Sequence, residues 1–172
     1  DPHRRAVGRN SDLCGSIDPQ TIDIRPARGS DDLNAVRALC WDYRDLLFAR
    51  TTDLPGLVDH YYATPIYKKL MDELPGRHRP PDGEIFVATL DGTVVACGMT
   101  HRIDASTCEI KRVYVAPDGR GQGIARTLCQ QAMDWARRAE YGRIVLDTMV
   151  RLPEAIALYE NMGFQPAAPY HD

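Results

Sequence analysis

The segment Arg120-Gly121-Gln122-Gly123-Ile124-Ala125 follows an apolar, β-branched stretch and precedes apolar residues at helical spacing. A helix that begins directly after a strand leaves several backbone N–H groups without intrahelical acceptors, at the positive end of the helix dipole. Glycines at 119, 121 and 123 remove the Cβ atoms that would hold a bulky anion away from the main chain. The segment therefore predicts an anion-binding turn, to which the Arg120 side chain adds a positive charge.

A glycine-rich turn alone is weak evidence, because a tight strand-to-helix connection without a ligand is about as common. The residues that follow the glycines separate two nucleotide-binding alternatives. A P-loop needs Gly-Lys-Ser/Thr where this chain has Gly123-Ile124-Ala125, and a dinucleotide-binding fingerprint needs Gly or Ala at position 124. Both nucleotide interpretations are excluded, and the neighbouring segments must decide which anion binds.

Hydrophobic periodicity around the turn predicts the element order β-α-α-β-β-β-α-β-α, which is an α/β fold with layered α+β character. The Asp91-Gly92 dipeptide between two strands predicts a tight hairpin, since both residues tolerate positive φ angles. The predicted elements are a strand at 21–25, a helix capped by Ser30, a helix from Thr64 stopped by Pro75-Gly76, strands at 85–90, 93–100 and 108–115, a helix ended by Gly142, a strand at 144–146, and a helix ended by Gly163.

The length of 172 residues predicts one compact domain, covering residues 20–172. Residues 1–19 show no periodicity and are rich in Asp, Arg, Ser, Gly and Pro, so we expect a disordered leader or an expression remnant. A net charge of -3 gives no electrostatic basis for nucleic-acid binding. No apolar run approaches the roughly 18 residues that span a bilayer, so no membrane partner is expected.

The five cysteines are widely spaced and odd in number, which argues against both a disulfide framework and a zinc site. We expect a reducing, cytoplasmic environment and no bound metal. A monomer and a homodimer are both compatible with the sequence.

Three blocks between residues 107 and 164 resemble one known family. Arg120-x-x-Gly123-x-Ala125 matches the acetyl-CoA signature Arg/Gln-x-x-Gly-x-Gly/Ala of the GNAT superfamily of N-acetyltransferases. The preceding block, residues 109–115, is similar to that family's fourth strand, and the following block, residues 158–164, is similar to its Leu-Tyr-x-x-x-Gly-Phe helix end. The three blocks occur in the family's order and spacing, so the chain is identified as a member by resemblance.

The resemblance implies a fold and a cofactor. The fold is a central mixed, twisted sheet with helices on both faces and a splay between the fourth and fifth strands. Acetyl-CoA is the implied co-substrate. Its pantetheine arm would pair with the main chain of Val113 and Val115, on either side of Tyr114, and its pyrophosphate would lie on Gly121, Gln122, Gly123, Ile124 and Ala125, beside Arg120. Leu152 departs from the family, which often has an Asn there that binds the cofactor arm.

The resemblance also implies two catalytic residues. Tyr159 would meet the thioester and protonate the departing CoA thiolate, and Glu109 would remove a proton from the amine directly or through water. Each residue has a structural alternative. Tyr159 could be a core aromatic, and Glu109 could be solvated at a strand end or paired with Lys111 or Arg112. The tetrahedral oxyanion would be held by backbone N–H groups between residues 113 and 115.

The expected reaction is direct transfer of acetyl from acetyl-CoA to a primary amine, on a small molecule or a peptide, within a ternary complex. A non-catalytic acyl-CoA-binding sensor or interaction module is the alternative, since it needs the turn at 120–125 but not Tyr159. Residues 41–45 and 59–62 combine aromatic and acidic side chains that could line an acceptor pocket. Ordinary helix surface is the preferred explanation of these residues, so the acceptor is not identified.

Overall fold

The computed structural model describes residues 21–54, 56–149 and 151–170, so the expected leader at 1–19 lies outside the described residues. Three helices follow the first strand, where the sequence predicted two, because a short additional helix forms before Thr64. The elements are β1 Ile22–Pro26, α1 Gly29–Arg50, α2 Leu57–Tyr62, α3 Thr64–Arg77, β2 Gly83–Leu90, β3 Thr93–Arg102, β4 Thr107–Val115, α4 Ile124–Arg138, β5 Arg143–Leu146 and α5 Pro153–Asn161.

The five strands form one sheet in the order β1-β2-β3-β4-β5. β1 to β4 pair antiparallel, and β5 pairs parallel to β4, which confirms the predicted mixed sheet. The parallel pairing begins at Thr107 and Arg143 and stops at Ile110 and Leu146. Beyond that point β4 continues for five residues without a strand on its β5 edge, which confirms the predicted splay.

Apolar side chains cover both faces of the sheet, as the period-two alternation of its strands requires. On one face α1 and α3 contribute buried residues such as Val36, Cys40 and Tyr67 to a cluster that includes Met99 of β3. On the other face Leu128 and its neighbours on α4 pack against a second cluster from β2, β3 and β4. Helices therefore lie on both sides, as expected.

The hairpin between β2 and β3 confirms the prediction from Asp91-Gly92. Both residues have positive φ, 50° and 84°, which are the angles that a two-residue type I′ turn requires. The Asp91 carboxylate also accepts the Thr21 N–H at 2.9 Å, which ties the start of β1 to this turn.

The predicted Ser30 cap is wrong, because α1 begins at Gly29, before Ser30, and the side chain of its N-cap residue Arg28 makes no capping bond. The Asp32 carboxylate instead accepts the Arg28 N–H at 2.6 Å and forms an ion pair with Arg25. A carboxylate in the first turn also interacts favourably with the helix dipole. The first turn of α1 is thus stabilised by an acidic side chain held by β1.

The predicted stop at Pro75-Gly76 is also wrong, since α3 continues to Arg77 with Pro75 in its last turn. Proline has no N–H to donate to the carbonyl four residues earlier, which is that of Met71. Arg37 of α1 supplies the missing donor, with its Nε 3.0 Å from the Met71 oxygen. A tertiary hydrogen bond therefore allows the helix to pass through the proline.

The two glycines predicted to end helices behave differently. α4 ends at Arg138, and Glu140 rather than Gly142 has the left-handed conformation, with φ 66°, so that prediction is wrong. Gly163 has φ 95° and confirms the other prediction. The Phe164 N–H bonds the Tyr159 carbonyl and the Gly163 N–H bonds the Glu160 carbonyl, both at 3.0 Å, which is a Schellman motif.

Candidate active site

A β-bulge lies in β4 beside the splay. Cys97 of β3 pairs with Tyr114 and Met99 pairs with Lys111, so a single residue of β3 opposes both Arg112 and Val113. Arg112 has φ 52°, in the left-handed region that non-glycine residues rarely adopt. This bulge was not predicted from the sequence. Its signal was available, because Ile110 and Val113 pack on the same face three residues apart, which breaks the period of two.

Next to the bulge, β4 has an open main-chain edge because its pairing with β5 stops at Ile110, and the sequence predicted the pantetheine arm at this edge. The Ala116 N–H bonds the Val95 carbonyl at 2.8 Å, so the neighbouring Val115 presents its own N–H and C=O to the opposite edge, toward the splay. The Val115 carbonyl accepts the Arg120 Nε at 3.1 Å. Arg120 is therefore anchored to the end of β4, with its guanidinium 5.9 Å from the centre of the Tyr114 ring.

The turn before α4 exposes the amides that the sequence predicted. Gly121 and Gly123 have φ of 79° and 72°, and a Cβ added at either position would meet no heavy atom within 4 Å. The first bond of α4 is from the Thr127 N–H to the Gly123 carbonyl at 3.1 Å. Within the described parts of the chain, the five N–H groups of residues 121–125 have no protein acceptor. The turn thus presents five backbone donors at a helix N-terminus.

Gly119 differs from the other two glycines and does not open the turn. It is buried, and a Cβ there would lie 3.0 Å from Val95 and 3.1 Å from Val115 side-chain atoms. Its lack of a side chain therefore allows the turn to pack closely against β3 and β4. The sequence had instead predicted that this glycine lets the anion approach the main chain.

Tyr159 lies on α5 with its ring half-buried. Its ring centre is 5.9 Å from that of Phe164 in an edge-to-face contact, which the Schellman motif at the helix end supports. Burial raises the pKa of the Tyr159 phenol, and the nearby Cys129 thiol and Tyr43 phenol raise it further. Among the described residues the hydroxyl has no hydrogen-bond partner, and it is not fully enclosed. The phenol is therefore protonated at neutral pH and available to a ligand.

Leu152 occupies the N-cap position of α5 and is buried against Leu47 of α1. It is 4% exposed, so its side chain fills the core between the two helices. Leu152, in place of the family's Asn, therefore contributes to the packing of α5 against α1. It has no polar group that could bind a cofactor.

Glu109 is buried, with 1% of its side chain exposed, so the alternative of a solvated strand end is wrong. Its carboxylate lies 2.6 Å from Nε2 of His101 and 3.3 Å from Nζ of Lys111, and it accepts the Tyr170 hydroxyl at 2.6 Å. Burial alone would raise the pKa of this carboxyl, but the hydrogen bonds from His101 and Tyr170, with the Lys111 charge, outweigh it and lower the pKa to about 2. Glu109 is therefore ionised and fully engaged.

The contacts of His101 and Tyr170 with Glu109 were not predicted from the sequence. His101 pairs directly with Glu109 across β3 and β4, so a correct alignment of these two strands would have predicted their contact. The His101 ring also meets the buried His78 edge-to-face, with centres 5.5 Å apart. Burial lowers the pKa of His78 to about 4, so that ring is neutral. Tyr170 comes from the chain segment after α5, and no local pattern could have predicted its contact.

Each of the two acidic and aromatic stretches considered for the acceptor contributes a tyrosine to the face of the sheet covered by α1 and α3. Tyr43 of α1 and Tyr62 of α2 are half-buried, and both pack at the edge of the cluster beneath α1 and α3. Their hydroxyls have no hydrogen-bond partner in the described parts of the chain, and neither is fully enclosed. Asp42, Asp45 and Asp59 are exposed, as ordinary helix surface would be.

No group of three or more His, Cys, Asp or Glu side chains in residues 21–54, 56–149 and 151–170 is arranged to hold a metal ion. Over the same residues, no helix is long and apolar enough to cross a membrane.

Comparisons with known proteins agree with this geometry. Residues 43–164 match the model of the acetyltransferase (GNAT) family. An N-acetyltransferase of Schizosaccharomyces pombe is 29% identical over 160 residues, covering 89% of this chain and 88% of its own. The N-acetylaspartate synthetase of Rattus norvegicus is 36% identical over 89 residues, which are 51% of this chain but only 29% of that protein.

Among solved structures, an acetyltransferase from Streptococcus agalactiae superimposes with a TM-score of 0.67 at 21% identity, covering 86% of this chain and 85% of its own. At that identity the likeness establishes the fold alone. The family model covers well over half of the chain and includes β4, the turn and α5. The chain therefore belongs to the acetyltransferase (GNAT) family and is an acetyl-CoA-dependent acyltransferase.

Proposed function

We propose that the chain transfers acetyl from acetyl-CoA to a primary amine by direct attack within a ternary complex. The observation that carries this proposal is the set of five unpartnered N–H groups at residues 121–125, next to the open edge of β4. The relative from Rattus norvegicus supports an amine acceptor, since its name describes acetylation of aspartate on nitrogen.

The cofactor would lie along the splay. Its pyrophosphate would accept hydrogen bonds from the main chain of residues 121–125, which also places negative charge at the positive end of the α4 dipole. The pantetheine arm would follow the β4 edge past Val115 toward Val113. Because Arg120 already bonds the Val115 carbonyl, we expect the arm to use the Val115 N–H, or to displace that side chain.

The amine must lose a proton before it attacks. An alkylammonium with a pKa near 10.4 is neutral about once in 2,500 molecules at pH 7, which corresponds to roughly 4.6 kcal/mol. A carboxylate with a pKa of about 2 is a poor direct base. In this proposal Glu109 instead orients His101 by accepting its Nε2–H, and the half-exposed imidazole takes the proton directly or through water.

Tyr159 would act at the other end of the reaction. After attack, the tetrahedral oxyanion would be held by main-chain N–H groups at the bulge, and the C–S bond would break to release CoA thiolate. The Tyr159 phenol is protonated at neutral pH and would donate to the sulfur as the C–S bond breaks. Donation to the sulfur then completes the transfer and yields the acetylated amine and free CoA.

The decisive experiment measures free thiol released from acetyl-CoA with a panel of primary amines, at several pH values. Wild type should release CoA with at least one amine. Tyr159→Phe should lower kcat about 100-fold or more, as loss of a general acid does, without changing the affinity for acetyl-CoA. Tyr141→Phe is the matched control, because it removes a phenol that stacks on Trp135 outside the site.

Two results would contradict the proposal in different ways. Unchanged turnover in Tyr159→Phe would remove that residue as the acid. Tight binding of acetyl-CoA by wild type without thiol release for any amine would favour a non-catalytic acyl-CoA-binding module.

A further inference from the structure

Arg112 is a half-buried cation that the fold does not neutralise. Across the described residues, no carboxylate lies within ion-pair distance of its guanidinium, and its contact to another side chain is from Nη1 to the Met99 sulfur at 3.8 Å. A partly desolvated charge is costly unless it is paired. Its backbone is also strained, at the left-handed residue of the bulge. Such a residue is poorly explained by stability alone.

Arg112 lies on β4 beyond the last residue that pairs with β5, so it is next to the splay. Arg112 contacts Met99, which belongs to the face covered by α1 and α3. On the other wall of the opening, Asp147 directly follows Leu146, the last residue of β5 that pairs with β4. Leu146 packs on the α4 face, so strand alternation places Asp147 on the same face as Arg112. Asp147 is exposed and has no ion pair with any described residue.

The Tyr43 and Tyr62 phenols pack against the cluster that contains Met99 and lie near both charges. Burial raises the pKa of both phenols, while the Arg112 charge lowers each and the Asp147 charge raises each. Both opposite charges therefore act on the same two hydroxyls, and neither hydroxyl has a protein partner. Arg112 on β4 and Asp147 after β5 thus stand on the two diverging strands, and two phenols that can form hydrogen bonds lie near both.

We propose that the acceptor is an amine that also carries a carboxylate, with the carboxylate bound by Arg112 and the amine directed toward Asp147. This inference rests on the proposed acetyl transfer and names its substrate class. A guanidinium presents a planar fork of N–H donors that matches a carboxylate, and such charge-assisted pairs are stronger than neutral hydrogen bonds. Tyr43 and Tyr62 complete the pocket with further donors.

The first test needs no variant. Acetyl transfer to glycine, β-alanine, alanine and aspartate is compared with transfer to the corresponding primary amides, which lose the carboxylate charge. Rates are expressed per neutral amine, because loss of the carboxylate also lowers the pKa of the ammonium group. We expect kcat/KM to be roughly 10- to 100-fold higher for the acids, the range for a hydrogen bond to a charged group. Equal or better use of the amides would overturn the proposal, while leaving acetyl transfer itself established.

The second test assigns the effect to Arg112. Arg112→Gln should raise the KM for carboxylate acceptors by a similar factor and leave the amides unaffected, and Arg112→Lys should give an intermediate loss. Arg143→Gln removes the same charge from the exposed start of β5 and should change neither. If Arg112→Gln weakens acids and amides equally while its urea midpoint matches wild type, Arg112 does not read the carboxylate. If wild type transfers acetyl to no amine, the proposed function itself fails.

Discussion

Replacing Glu109 by Gln should remove a pH-dependent part of the stability that can be sized from the structure. The folded-state pKa of about 2 lies below the ordinary value of 4.5. Since a tenfold change in an ionisation constant is worth about 1.4 kcal/mol, the ionised carboxylate contributes about 3 kcal/mol. This side chain is almost fully buried, so solvent screens little of that contribution.

The sign follows from which state binds the proton more readily. The unfolded chain protonates Glu109 near pH 4.5, before the folded chain does, so the contribution is complete above that pH and is lost as the pH falls toward 2. About 1.5 kcal/mol should be lost by pH 3.5. His78 acts in a different window, because its pKa is lowered from 6.5 to about 4 and its own loss begins below pH 6.5.

The assay is urea unfolding of wild type and Glu109→Gln at intervals from pH 7 to pH 3.5. The variant should be less stable at pH 7, and the gap should narrow by about 1.5 kcal/mol at the acid end. Glu160→Gln, an identical change at an exposed position of α5, should leave the pH dependence of wild type unaltered. A gap for Glu109→Gln that stays constant over this range would refute the reasoning, since the carboxylate would then have an ordinary pKa in the folded chain.

Two further predictions concern the cofactor side of the site. Gly123→Glu should abolish acetyl-CoA binding measured by calorimetry, because its carboxylate would enter the open space at the phosphate-binding amides and repel the pyrophosphate. The control Gly123→Ala adds only strain of about 1 to 2 kcal/mol at φ 72° and should retain binding. Equal affinity in wild type and Gly123→Glu would rule out this placement of the pyrophosphate. Leu152→Asn introduces the residue that is common in the family. It should lower the free energy of unfolding by about 2 to 4 kcal/mol without tightening acetyl-CoA binding, because the amide would be buried against Leu47. A stable variant that binds acetyl-CoA more tightly would show that the cofactor pocket reaches this position.

Local patterns in the sequence predicted most of the framework. The Asp91-Gly92 turn and the Gly163 helix end were correct because both depend on backbone angles that few residues adopt. The errors at Ser30, Pro75 and Gly142 have different causes. Asp32, paired with Arg25 of β1, takes the place of the Ser30 cap, and Arg37 supplies the donor that Pro75 lacks. α4 ends before Gly142 because Glu140 adopts the left-handed conformation and the Tyr141 N–H bonds the Ala136 carbonyl.

The residues at 109–125 and 158–164 determined by themselves the family, the strand-turn-helix with its exposed amides, and the presence of Glu109 and Tyr159. Only the tertiary structure decided what those side chains meet. It buried Glu109 between His101 and Tyr170, and it placed the strained Arg112 at the splay. Spacing along a chain fixes backbone conformation and the face of an element, whereas pKa values and pockets depend on groups that are distant in sequence and meet only when the sheet and helices pack.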